Sequence, residues 1–302
     1  MSYESVLSRY CPNPLPLTTV TVAASGADYT SIKAALAGIS PTVASPYKIY
    51  VRNGSYEEIQ IDGKAYVTIE GESRTGVVIN SDGLRTDVDP VSGSRYVDMD
   101  INTKHGIKPM QNLFRLKNLT WSANDVKYNV HSDQSGDCYM YFENCHFKFS
   151  NPYYSFGIGL RDKQYLYFSD CTFEKTGANV ANSALVGSHG VYCHNWNDQT
   201  GTGLSAGCRI SFGRCTAINC GLVKLDELGS EQVDLLTADT CTPDAEDGRG
   251  IYCTATDFYW NGGGQGVLNV PYCWNILTID GTLAIEAPAD KRPNAENYVV
   301  QL

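Results

Sequence analysis

Leu116-Lys117-Asn118-Leu119-Thr120-Trp121, Phe142-Glu143-Asn144-Cys145-His146-Phe147 and Phe168-Ser169-Asp170-Cys171-Thr172-Phe173 share one order: apolar, polar, Asn or Asp, apolar, polar, aromatic. Their starts, at 116, 142 and 168, are evenly spaced by 26 residues. A fixed period of that size marks stacked supersecondary units. Phe212-Gly213-Arg214-Cys215-Thr216-Ala217 continues the order after 44 residues, which reads as one repeat carrying an insertion. Leu236-Thr237-Ala238-Asp239 follows about one more period on.

Within each unit apolar and polar residues alternate, as in Tyr139-Met140-Tyr141-Phe142 and Tyr165-Leu166-Tyr167-Phe168, with Gly, Asn, Asp and Ser between the runs. Period-two alternation bounded by turn residues predicts short strands. Further strands are predicted at Lys48–Arg52, Glu58–Ile61, Val67–Glu70, Val77–Asn80 and Leu113–Leu116. One helical segment stands out between Tyr29 and Ile39, with Ile32, Ala35, Leu36 and Ile39 on one face. Asp28 or Thr30 is its expected cap, and Ser40-Pro41 its stop. A lone N-terminal helix before many strands is the expected cover for the open end of a β-solenoid. The reading is therefore an all-β, single-stranded, right-handed parallel β-helix with an N-terminal capping helix. Its organisation is a 1–18 extension, a 19–287 β-helix with side loops at about 82–112 and 176–205, and a 288–302 tail.

The 302 residues are 42% hydrophobic and 19% charged, too apolar for disorder and long enough for a large core. Lys and Arg number 23 against 33 Asp and Glu, giving a formal net charge of −10. An acidic surface repels phosphate backbones, so nucleic acid is not an expected partner. No run of about 18 apolar residues exists, so membrane insertion is not expected. Met1 to Ser5 are polar, without the basic-then-apolar order of a signal peptide, so the expectation is a soluble protein made in the cytosol. The 11 cysteines form no Cys-x-x-Cys pair and are read as buried reduced thiols. No metal-ligand spacing stands out, and no cofactor is expected.

Thr19-Val20-Thr21-Val22-Ala23, Gly26-Ala27-Asp28-Tyr29-Thr30-Ser31-Ile32, Lys48-Ile49-Tyr50-Val51-Arg52-Asn53-Gly54-Ser55-Tyr56-Glu57-Glu58 and Val67-Thr68-Ile69-Glu70-Gly71-Glu72 follow one another in that order. The series resembles the opening of pectin methylesterases and related pectin lyase-like β-helices, and the match covers residues 19 to about 80. Gly54-Ser55-Tyr56-Glu57-Glu58 matches the family's Gly-x-Tyr-x-Glu element completely. The family's active-site contexts do not follow. Gly157-Ile158-Gly159-Leu160-Arg161-Asp162 stands where its Gln-Asp-Thr element would fall, and ordinary pectin methylesterase activity is not expected. The later coils, about 110 to 230, resemble β-helical modules of phage and prophage tail fibres and tailspikes. The features that carry this resemblance are Tyr128-Asn129-Val130-His131-Ser132-Asp133, Gly157-Ile158-Gly159 and Gly190-Val191-Tyr192-Cys193-His194-Asn195-Trp196.

His131 and Asp133 stand two apart on a predicted strand and so share a face. Gly157 and Gly159 fall at the equivalent places one period later, leaving a recess bordered by Arg161 and Asp162, with His189 and His194 in the next coil. A His near carboxylates serves as a general base or as a glycan hydrogen-bonding group, and the same side chains also serve to tie off turns. The candidate catalytic set is thus His131, Asp133, Arg161, Asp162, His189 and His194. The candidate substrate-binding set is Tyr154, Tyr192, Asn195, Trp196, Asp226 and Glu227. Of the last two, adjacent on a strand, one alone can line a given groove. The 20 tyrosines, among them Tyr139, Tyr141, Tyr165 and Tyr167, offer flat faces suited to sugar stacking or to coil packing.

The functional expectation is a tail-associated module that binds, and cleaves or deacylates, a bacterial surface polysaccharide. Its partners would be the glycan and other tail proteins, its assembly a homotrimer, and its location the virion tail after synthesis in the host cytoplasm. The alternatives are a stand-alone cytoplasmic carbohydrate esterase or polysaccharide lyase, and a non-catalytic structural or adhesive β-helix.

Overall fold

The computed structural model describes residues 18–42, 44–58, 61, 63–81, 112–123, 129–133, 138–150, 154–160, 164–176, 189–195, 208–226, 233–239 and six short strands between 251 and 301. Strands from these segments form three sheets in which every named pairing is parallel. The first sheet has eleven strands, beginning Thr18–Val22, Tyr47–Val51, Val67–Gly71, Asn112–Lys117, Cys138–Glu143, Gln164–Ser169, Cys208–Gly213 and Val233–Asp239. The second has six: Gly54–Glu57, Val77–Asn80, Thr120–Ala123, His146–Phe149, Thr172–Lys175 and Thr216–Ile218. The third runs through Val130–Asp133, Tyr154–Leu160, His189–Asn195 and Gly221–Asp226 to Thr282–Ile285.

Each coil visits the sheets in turn, which makes the chain a parallel β-helix. The 26-residue period is the length of one coil, since Phe142 is in register with Phe168. Phe168 in turn pairs Phe212, so the longer spacing there adds residues without moving the rung.

The six-residue pattern is the corner between the first and second sheets. Phe142 and Phe168 lie inside the core near the ends of first-sheet strands, followed by the exposed Glu143 and the buried Ser169. Asn118, Asn144, Asp170 and Arg214 then turn the chain with φ of 54°, 49°, 54° and 52°. This left-handed region is costly for most side chains and least so for Asn and Asp, which explains their place in the repeat. Asn144 Nδ2 donates to Asn118 Oδ1 at 2.9 Å, linking two corners. At the fourth corner Arg214 is held by a two-pronged bond to the Asp170 carboxylate, both contacts 2.7 Å.

The residue after each corner, Leu119, Cys145, Cys171 or Cys215, returns to the core. All three thiols are free and buried, with the Cys145 and Cys171 sulfurs 3.3–3.4 Å from backbone carbonyls. Burial pushes the Cys145 thiol up, so it remains protonated and serves as a small apolar filler. Above them the lumen is aromatic. Phe142, Phe168 and Phe212 stack at successive centroid spacings of 4.9 Å, and Phe156 meets Phe142, Phe147 and Phe168 edge-on.

The N-terminal helix spans Ile32–Gly38, burying Ile32, Ala35 and Leu36. Its cap is Ser31, whose Oγ accepts from Ala34 N at 3.0 Å, rather than Asp28 or Thr30. Asp28 instead accepts from both the backbone N–H and the hydroxyl of Thr21. The strand expected at Glu58–Ile61 is also corrected: it runs Gly54–Glu57, and Ile59 and Gln60 lie outside the described residues. Glu58, just past the strand, keeps its N–H on Asn80 O at 3.0 Å, while its carboxylate accepts from Ile32 N at 2.5 Å and Lys33 N at 3.4 Å, filling the open end of the helix. Tyr56, two residues earlier, donates its hydroxyl to Arg52 O at 2.6 Å. The Gly-x-Tyr-x-Glu element is therefore a device for seating the cap.

Glu58 is only 2% exposed, and burial pushes its carboxyl above the ordinary 4.5, against the pull of the two N–H donors. Glu58→Ala is expected to cost about 2–3 kcal/mol, since two helix N–H groups lose their acceptor. The raised pKa gives a contribution that is present below the unfolded value and lost as pH rises through the folded one. Glu58→Gln, which does not ionise, should therefore be relatively milder at pH 7 than at pH 4, as read by denaturant unfolding at both pH values.

Candidate functional site

The third sheet places the expected residues by register. Gly157 pairs His131 and Gly159 pairs Asp133 one rung on, as the period predicts. The same two columns continue to Tyr192 and His194, then to Lys224 and Asp226. Between them Phe156, Ile158, Val191 and Cys193 are buried in the lumen, while Tyr192, in the alternate register, is half-buried. Rungs are about 4.8 Å apart. His194 is thus one rung from Asp226, and about 10 Å from Asp133 across the Gly159 rung.

His189 does not join this band. It is buried, 4% exposed, at the start of its strand in register with Tyr154 and Gly221. Asn195 pairs Leu160 just past the His194 column, and Tyr192 is half-buried. Arg161, Asp162, Trp196 and Glu227 lie outside the described residues.

The tyrosines on the outer face of the first sheet are organised differently from a sugar platform. Tyr139 and Tyr165 stack at 4.7 Å and 8°, and Tyr141 and Tyr167 at 4.8 Å and 11°. The outer ring faces are taken too, by Arg115 at 5.1 Å from Tyr141 and Arg209 at 5.8 Å from Tyr165. Tyr167 is 1% exposed. These rings spend their faces on one another and on guanidinium groups, so stacking along the coil, not sugar binding, accounts for them.

A second polar cluster, absent from the expected set, lies on the second sheet. Its outer column reads Thr120, His146, Thr172, Thr216 in register, with His146 in place of threonine. His146 Nε2 lies 2.8 Å from Glu174 Oε2, and Lys148 Nζ lies 3.5 Å from the same oxygen. Burial lowers the imidazole's pKa, with Lys148 and Arg74 acting the same way and Glu174 opposing them, so His146 is neutral at pH 7. Arg74 reaches this column from the turn before Val77–Asn80. Its guanidinium donates to the Thr172 hydroxyl, to Asn144 Oδ1 at 3.5 Å and to Asp170 O at 3.4 Å, while its own carbonyl accepts from Thr120 Oγ1 at 2.8 Å. The Arg214 hydrogen bonds hold the Asp170 carboxyl below the usual carboxylate range. One sequence signal did mark the cluster: His146 breaks a run of threonines at one slot of the repeat. Among the described residues no group of three or more His, Cys, Asp or Glu gathers as a metal site.

No family model matches the chain, and no curated protein matches it. Solved structures similar to it include a pectin methylesterase mutant in complex with a hexasaccharide, with TM-score 0.40, 14% identity, and 95% of this chain and 94% of that one covered. Others are a pectin methylesterase from Yersinia enterocolitica, at 0.38, 16%, 90% and 94%, and one from Erwinia chrysanthemi, at 0.33, 13%, 95% and 94%. The fold assignment rests on the rung-by-rung register above.

Proposed function

We propose that the chain is a polysaccharide-acting β-helix of the phage-tail kind, and that a bacterial surface glycan lies along the outer face of its third sheet. The observation that carries this reading is the pair of columns His131–Gly157–Tyr192–Lys224 and Asp133–Gly159–His194–Asp226. The columns bring ionisable residue types into register on successive rungs, the chemistry that recognition of a sugar's polar edges calls for. His194, one rung from a carboxylate-bearing residue, is the general base of this site, and Asp226 orients it. Water attacks the carbonyl carbon of a sugar ester as His194 takes its proton. The carbonyl bond reforms with loss of the sugar oxygen, which takes the proton back from His194, releasing a free acid and a sugar hydroxyl.

Incubating the full chain with a panel of acetylated and non-acetylated capsular glycans, and measuring both released acetate and new reducing ends, tests the reading. Acetate without reducing ends is the expected result. Reducing ends alone would move the chemistry to backbone cleavage, and no product with no binding would leave a structural β-helix. The tail role carries its own expectation, a trimer in light scattering of the full chain; a strict monomer would count against it.

A further inference from the structure

We propose that the Arg74 guanidinium, together with the Thr172 hydroxyl and the His146 ring, forms an oxyanion-binding site on the second sheet, separate from the third-sheet columns. The argument begins with charge. Lys148 has Glu174 within 3.5 Å, Arg214 has Asp170 at 2.7 Å, and Lys117 has Glu143 at 3.2 Å. Arg74, half-buried among them, has no carboxylate within salt-bridge distance among the described residues. It donates only to a hydroxyl, an amide oxygen and a backbone carbonyl, the latter two at 3.4–3.5 Å. A guanidinium carries five N–H donors in a planar fork, so donor capacity and a full positive charge both remain for a carboxylate or phosphate group.

The neighbours suit that ligand. Thr172 Oγ1 accepts from Arg74, which leaves its own proton for an incoming oxygen. His146 stands one rung away in the same column and can add a second donor when protonated. The groups facing His146 are Glu174, Lys148 and Arg74, with Thr120 and Thr172 on the flanking rungs. Glu174 lies against His146 Nε2 at 2.8 Å, and it and the Asp170 carboxylate, which feels the Arg74 charge, oppose the ligand at longer range. In a chain of net charge −10, a patch that draws anions is a selective feature and not a general property of the surface.

The test is a two-dimensional NMR titration of the full chain, following the histidine ring and arginine side-chain signals, with inorganic phosphate, glucuronate and glucose as separate probes. His146→Asn assigns the ring signal. Saturable shifts of the Arg74 and His146 signals are expected with phosphate, glucuronate or both, at about 1 mM, and none with glucose. Phosphate alone identifies a phosphate site, and glucuronate alone a carboxylate one. Glucuronate binding should strengthen as pH falls below the ordinary imidazole value of 6.5 and the ring gains its proton. Arg74→Gln should weaken it by about tenfold or more, Arg74→Lys by less, and Glu174→Gln should tighten it about threefold by removing the opposing charge. Equal shifts with glucose, no saturation with either anion, or a Glu174→Gln variant that binds no better would overturn the assignment. The Glu174→Gln arm keeps the test decisive should Arg74→Gln fail to fold. Because the probes are simple anions read at the second sheet, a negative result leaves the glycan panel untouched, and the reverse holds.

Discussion

Phe168→Ala is expected to lower stability by about 3–5 kcal/mol, the range for truncating a fully buried phenylalanine. Phe168 has no exposure and sits mid-stack, 4.9 Å from Phe142 below and 4.9 Å from Phe212 above, with Phe156 and Phe173 edge-on at 5.3 and 5.6 Å. Its removal leaves a cavity that the stacked rings cannot close without breaking register, because the strands carrying them are fixed by their ladder bonds. Phe168→Leu, which keeps most of the volume, should cost much less. Denaturant unfolding followed by far-UV circular dichroism gives both values. A loss below about 1 kcal/mol for the alanine variant would mean that the lumen repacks, against the close-packed interior described above.

The second large effect concerns the third sheet. If His194 is the general base, His194→Asn should reduce ester release by about 100-fold to 10,000-fold while glycan affinity stays within a few-fold. Asp226→Asn should give a smaller loss and move the acid limb of the pH–rate profile downward, since the carboxylate one rung away favours the protonated ring. Measuring initial rates of acetate release across pH separates the two. An unchanged rate in His194→Asn with a folded protein would remove this residue from the mechanism.

Much of the architecture was legible because the β-helix repeats one corner. The order Phe-Glu-Asn-Cys-His-Phe encodes an inward residue, an outward one, a left-handed turn and a return to the core, each set by a residue-level preference. The His131/Asp133 and Gly157/Gly159 match was legible for the same reason, as both pairs lie one period apart. What escaped was whatever depends on contacts across unequal spacing. Arg74 meets Thr172 across 98 residues, a separation that is no multiple of 26, so no periodicity points from one to the other. Glu58 reads as strand by its alternation, and its side-chain contact with the open end of the helix, 26 residues earlier, leaves no mark in that alternation. The tyrosine pairs 139/165 and 141/167 lie one period apart and suit coil packing as well as sugar stacking in the sequence, and the stacked rings decide for packing.

The corner ladder has a further consequence for how such a chain can change. Ile69 pairs Leu116 and Phe168 pairs Phe212 although the coils between them differ greatly in length from the coil joining Phe142 to Phe168. Register is set locally, by the inward residue and the turn that follows it, and not by the count of residues back to the previous rung. A coil can therefore take up a new segment, or lose one, without shifting any strand above or below it. Whatever such a segment recognises can be exchanged while the supporting column keeps its address, so diversity at the surface costs this fold little in its interior.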